Sequence, residues 1–194
     1  MKTEESVLAR IVSEIFEPMV VFLAIALIGA WHVHLRGFLY ATYALYIVAV
    51  GVIVAIARVR LTRMMHTNWD ISNRPKRVRL LILLLAFCFL LFWSTYLWHN
   101  AALSRFFELF LLWLIGFFLI TLRIKISGHM AVFVLAIGLL VSWYELSLWV
   151  LGSLVPILGW SRLKLKRHNM LEVVLGTAYS LGVLLLYNKV PPFR

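Results

Sequence analysis

The residues of this chain best suited to chemistry are two histidines and a carboxylate set among cations. His168 and Glu172 stand four apart near the end of the segment Ser161-Arg162-Leu163-Lys164-Leu165-Lys166-Arg167-His168-Asn169-Met170-Leu171-Glu172. With the final helix already begun there, they would share a face and their side chains could meet. A carboxylate that accepts the proton of one imidazole nitrogen fixes the tautomer and leaves the other nitrogen to attack. His129 follows Ser127-Gly128, which reads as a pair of hydrogen-bond donors at a helix N-terminus, a position that favours anions. Arg162 lies six residues before His168, in reach of an anion held at that imidazole. Arg74, Lys76 and Arg77 surround Pro75 and add cations on a proline-stiffened turn. Together these groups suit phosphoryl transfer. One imidazole attacks phosphorus, a second protonates the leaving oxygen, and cations carry the spread negative charge. Such chemistry needs no metal and no other cofactor.

The elements that must position these residues are membrane helices. Hydrophobic residues make up 63% of the 194 and charged residues only 14%, against about 45–50% and 25% in soluble domains. A soluble domain and a disordered chain are both excluded. A bilayer crossing needs about 20 largely apolar residues. Gaps between charges predict seven such spans, near 16–34, 38–60, 79–98, 106–122, 126–144, 146–161 and 173–188. The first is crowded at its start by Glu14 and Glu17, and an interfacial helix there would leave six. The fifth and sixth are short and meet at Tyr144-Glu145, as a tight hairpin would. The expected fold is all-α, a polytopic transmembrane helical bundle forming one domain over 1–194. No repeat or linker divides it.

The net charge of +11 is concentrated. Thirteen of the 19 Lys and Arg residues fall between Arg58 and Arg79, at Arg123 and Lys125, and between Arg162 and Arg167. In a seven-span chain these three loops are separated by pairs of crossings and emerge on one membrane face. Positive-inside bias accounts for part of this. The loops at 63–79, 123–129 and 161–172 also hold both candidate histidines, which points to an anion site where Arg forks grip phosphate oxygens. His32, His34 and His99 fall on the opposite face and read as interfacial. Basic proteins often bind nucleic acid, but this chain has too little polar surface for that. The one cysteine, Cys88, lies in an apolar run and reads as a small hydrophobe. Lys2, Glu4 and Glu5, with no small-residue cleavage site after them, do not read as a cleavable signal peptide.

Arg74-Pro75, then Ser127-Gly128-His129, then Ser161-Arg162 with five residues to His168 and three more to Glu172 resemble the three signature motifs of the type 2 phosphatidic acid phosphatases. That superfamily also includes the vanadium haloperoxidases. Its pattern is KxxxxxxRP, PSGH and SRxxxxxHxxxD, in that order. The resemblance runs from the first basic loop to the last helix. It implies that His168 is the nucleophile, forming a phosphohistidine, that Glu172 orients it, and that His129 protonates the leaving alcohol. It further implies that Arg74 and Arg162 bind phosphate, with Ser127 and Gly128 donating hydrogen bonds. Four features depart from the family. Thr67 stands where it has Lys, and Arg63, Lys76 or Arg77 would have to replace that cation. Ile126 replaces Pro, and Glu172 replaces Asp with one more methylene. Two extra spans separate the first and second motifs.

The function these readings imply is a membrane-embedded lipid phosphatase, independent of metal. Its substrate would be a phosphomonoester or pyrophosphate of a lipid, such as phosphatidic acid, phosphatidylglycerol phosphate or a polyprenyl phosphate or diphosphate, entering from the bilayer. Three rivals remain. A metal-dependent hydrolase could use His129, His168 and Glu172 as ligands, though nearby arginines would repel a divalent ion. A vanadate-dependent oxidant is disfavoured by the hydrophobic chain. A non-catalytic lipid-binding or transport protein with a degenerate site draws support from Thr67 and Glu172. The expected location is a multi-pass position in a prokaryotic plasma membrane, with the basic loops cytoplasmic. Single cysteines placed in those loops of a Cys88→Ser chain should then resist a membrane-impermeant thiol reagent applied to intact cells. Labelling from outside would reverse the orientation.

Overall fold

The computed structural model of the chain describes residues 7–64, 74–97, 99–145 and 148–187, with 74–76, 148 and 149 described by backbone alone. All regular structure among the described residues is helical: α1 (Val7–Ile15), α2 (Pro18–His32), α3 (Gly37–Met64), α4 (Arg74–Leu97), α5 (Ala101–Thr121), α6 (Gly128–Tyr144), α7 (Leu148–Gly152), α8 (Leu154–Lys164) and α9 (Met170–Tyr187). Five stretches are long and apolar enough to cross a membrane: Val7–His32, Gly37–Met64, Arg77–Leu97, Ala101–Thr121 and Met170–Tyr187. The chain is thus consistent with a multi-pass helical membrane protein.

Local chemistry sets the helix limits. Pro18 lacks an N–H and its ring opposes the carbonyl four residues back, so α1 ends and α2 starts there. Glu17 caps the new helix, its Oε2 accepting from the N–H of Met19 at 2.7 Å. Asn100 caps α5 by accepting from Leu103 N–H at 3.0 Å. Two histidines serve as helix stops. His34 and His99 adopt φ of 63° and 53°. The following residues then bond back five positions, Leu35 to Ala30 and Asn100 to Thr95, which closes α2 and α4 in Schellman turns.

The predicted span at 146–161 is the main departure. In place of one helix, the chain forms α7 and α8, separated at Ser153. Pro156 explains the break, because its ring would collide with the Gly152 carbonyl in a continuous helix, whereas in the first turn of α8 it is harmless. The basic stretch at 63–79 is likewise less of a loop than expected. Arg58, Arg60 and Arg63 lie on α3, and Arg74, Lys76, Arg77 and Arg79 on the first turns of α4. Thr67 and His66 lie outside the described residues.

The described chain divides into two compact units. One comprises α1, α2 as far as Ile25, and α6 to α9; the other runs from Ala26 through α3, α4 and α5. In the second, α4 packs against α5 and α3. Tyr46 of α3 donates to Ser94 of α4 at 2.9 Å. The inner face of α5 buries Leu103, Phe106, Phe107, Phe110, Trp113 and Phe117.

In the first unit α6 and α9 form a close pair. Ser127 meets Glu172, Ala131 meets Ser180, and Gly138 meets Leu184. These positions advance together along both helices, so α6 and α9 run parallel with their N-termini at one end. The residues between them must therefore travel back along the pair, and α7 and α8 make that return. The contact face of α9 places the small Gly176 and Ser180 between the buried Val173 and Leu184. Leu171, Val174, Leu181, Leu185 and Leu186 are exposed. Small residues inside and large aliphatics outside is the arrangement expected where lipid, not water, surrounds the helices. The core of the unit gathers Met130, Phe133, Ile137, Leu158 and Val173, with Val12 and Phe16 against them.

Backbone meets backbone at Gly176, where an added Cβ would lie 2.6 Å from the Ser127 carbonyl oxygen. Backbone cannot move aside as a side-chain tip can. Gly176→Ala should destabilise the protein by about 1–3 kcal/mol. Gly182→Ala, where a Cβ meets nothing within 4 Å, should be neutral or stabilising by up to about 1 kcal/mol. Thermal unfolding in detergent measures both, and equal effects would remove the close approach as a constraint.

Candidate active site

The corner between α8 and α9 explains the spacing of the third motif. α8 ends with Lys166 in the left-handed region, at φ 53°. Lys166 N–H bonds to Leu163 O at 3.0 Å and Arg167 N–H to Arg162 O at 3.2 Å, a Schellman turn made by a residue other than glycine. The chain then reaches Asn169, whose Oδ1 accepts from the Glu172 N–H at 2.9 Å. That is an N-cap bonded to the third helical position. The five residues between Arg162 and His168 are therefore the last turn of α8 plus its cap.

His168 and Glu172 do meet, but not on a helix face as their spacing suggested. Asn169 takes the cap position, so His168 precedes α9 by two residues. The Glu172 side chain reaches back across the cap, and Oε2 lies 2.6 Å from His168 Nδ1. Their side chains are 6% and 12% exposed, so little water competes for the pair. Such a bond holds the proton on Nδ1 and places the lone pair on Nε2. A carboxylate is an acceptor only, and the longer Glu side chain reaches the imidazole despite its extra methylene.

The second motif is brought to the same end. The Ser127 N–H donates to the Glu172 carbonyl at 3.0 Å. Ser127 caps α6, its hydroxyl accepting from Met130 N–H at 3.5 Å. Helix α6 begins at Gly128 with Ile126 buried before it, so the expected helix start forms without the family proline. His129 stands in the first turn of α6, at the end of the parallel pair where His168 and Glu172 lie. The Ser127 backbone donor is committed to Glu172, so a hydrogen bond from Ser127 to a ligand must come from its hydroxyl.

Arg162 is 2% exposed and donates from NH1 to Ser13 Oγ of α1 at 2.6 Å. Its neighbour Ser161 donates to the Ala9 carbonyl of α1 at 2.6 Å. A buried guanidinium must be met by acceptors, and a hydroxyl on α1 is one of them.

Ser127, Gly128, His129, Arg162, His168 and Glu172 thus belong to the first unit, while Arg74, Lys76 and Arg77 belong to the second. The side chains of Arg74 and Lys76 lie outside the described residues. Among the described residues no three His, Cys, Asp or Glu side chains gather as metal ligands would. Sequence reasoning missed four contributors: Asn169, Lys166, Gly176 and the Ala9–Ser13 face of α1. Only Asn169 had a local signal, since Asn-x-x-Glu before an apolar run is a helix-start pattern. Neither family models, curated proteins nor solved structures give a match to this chain.

Two substitutions test the corner. Lys166→Gly removes a left-handed residue's steric cost and should stabilise by about 1 kcal/mol. Asn169→Ala removes the cap and should destabilise by about 1 kcal/mol. Both are read from thermal unfolding in detergent. Destabilisation by Lys166→Gly would show that the turn does not rest on that backbone geometry.

Proposed function

We propose that this protein is a membrane-embedded lipid phosphatase that works through a phosphohistidine, as a member of the type 2 phosphatidic acid phosphatase superfamily. The observation that carries the proposal is the His168 Nδ1–Glu172 Oε2 contact at 2.6 Å, at the end of the α6–α9 pair where His129 begins α6. Nε2 of His168 attacks phosphorus and the bond from phosphorus to the leaving oxygen breaks. His129 gives that oxygen its proton. Water then attacks the phosphohistidine, releasing phosphate and restoring His168. Arg162 holds the phosphate oxygens, with the Ser127 hydroxyl and the N-terminal end of α6 adding donors. Arg74, Lys76 and Arg77 enter as phosphate ligands through the motif resemblance alone. Lipid-facing aliphatics on α9 suit a substrate whose tails remain in the bilayer: phosphatidic acid, phosphatidylglycerol phosphate, or a polyprenyl phosphate or diphosphate. We further propose seven membrane passages, with α7 and α8 as a broken sixth, and a cytoplasmic active-site face.

One departure favours a second reading. Thr67 replaces the family lysine, which fits a lipid-phosphate-binding or transport protein that no longer turns over.

Phosphate release from a lipid panel separates the two. Wild type should release phosphate in the presence of chelator, and His168→Ala should release none above background. Glu172→Gln should lose at least about a hundredfold in kcat, because the wrong tautomer is then allowed. A labelled lipid phosphate should leave an acid-labile, base-stable label on wild type and none on His168→Ala. Equal release by wild type and His168→Ala would refute the mechanism, and binding of the lipids without release would establish the second reading.

A further inference from the structure

Helix α1 lies upstream of every motif, yet it holds the motif arginine. Ala9 and Ser13 are one helical turn apart and form the buried face of α1. Both are small, which lets α8 approach closely. Two hydrogen bonds fasten the pair. Ser161 Oγ donates to the Ala9 carbonyl, and Arg162 NH1 donates to Ser13 Oγ, each at 2.6 Å. The first fixes how far along α1 the end of α8 sits. The second fixes where the Arg162 guanidinium points. An arginine has several rotatable bonds and a planar fork of five donors. It grips a phosphate with two parallel bonds only if that plane is set in advance. The backbone of α8 constrains only the Cβ direction, so contacts of the side chain itself, Ser13 Oγ among them, must set that plane.

We propose that Ser13 is a positioning residue for phosphate binding: its hydroxyl holds the Arg162 guanidinium in the orientation that receives a phosphate group. The inference rests on the phosphatase reading for the role of Arg162, and it makes α1 a functional part of the site as well as a piece of its packing. Ser13 does not touch the reacting atoms. Losing it should weaken binding of ground state and transition state alike, which raises KM and leaves kcat.

The test compares wild type, Ser13→Ala and Ser13→Thr as full chains in detergent, using the most rapidly hydrolysed lipid of the panel, with inorganic phosphate as a competing ligand. Ser13→Ala should raise KM, and the inhibition constant of inorganic phosphate, by about tenfold, with kcat within about twofold. Ser13→Thr keeps the hydroxyl and should restore both. Ser13→Cys, of similar volume but a weak acceptor, should resemble Ser13→Ala and serves if the alanine variant is unstable. An unchanged KM in Ser13→Ala overturns the proposal. So does a threonine variant as impaired as the alanine one, because packing would then be the cause. If wild type and His168→Ala release phosphate equally, the phosphatase reading fails, yet calorimetric titration of inorganic phosphate still decides the role of Ser13. Weaker binding by Ser13→Ala than by wild type supports it, and equal affinity, or no binding by wild type, overturns it.

Discussion

The arrangement of this protein's candidate site depends on one close approach, that of α9 to the turn before α6. At Gly176 the two backbones come so near that no side chain could stand between them, and the Ser127 N–H reaches the Glu172 carbonyl there. That hydrogen bond is made by a fully buried residue, Ser127, where a lost backbone partner is costly. It fixes the register of two parallel helices at their N-terminal ends. Two motifs more than thirty residues apart in the chain are thereby brought to one place. Ser180 repeats the device one turn further along, donating to the Ala131 carbonyl at 2.7 Å.

A parallel pair imposes a further condition, because the chain must return before it can start α9. The return is made by α7 and α8, and at its end the candidate histidine and carboxylate are brought together. A Schellman turn at Lys166 stops α8, Asn169 starts α9, and His168 is held between the stop and the start. Being outside the helix frees its imidazole from the helical face, while Glu172 inside the first turn supplies the carboxylate. The carboxylate also lies at the positive end of the α9 dipole, which stabilises its charge. The positions a helix cannot satisfy by itself are thus where the candidate site residues are found.

Much of this was legible in the chain. Apolar runs between charges mark α2 to α6 and α9 to within a few residues, because lipid tolerates few charges along a span and so charges bracket it. The pairing of His168 with Glu172 was readable from their spacing, though its route was not: a separation of four suggested a shared face, and the cap preference of Asn169 moved His168 off the helix. The break at Ser153 was hidden because a long apolar run outweighed a single Pro156. The role of α1 was not readable at all. Ser13 and Arg162 are 149 positions apart, and no periodicity relates a hydroxyl in one helix to a guanidinium in another.

By itself the sequence determined the material: helices apolar enough for a bilayer, cations gathered in a few short stretches, and two histidines with a carboxylate at fixed separations. These follow from local rules, since hydropathy, charge and capping each act over a few residues. Only the tertiary structure decided that α6 and α9 run parallel, that Gly176 lets them touch, and that α1 carries the hydroxyl facing Arg162. Those outcomes depend on which surfaces fit when distant segments meet, and shape complementarity has no period along a chain.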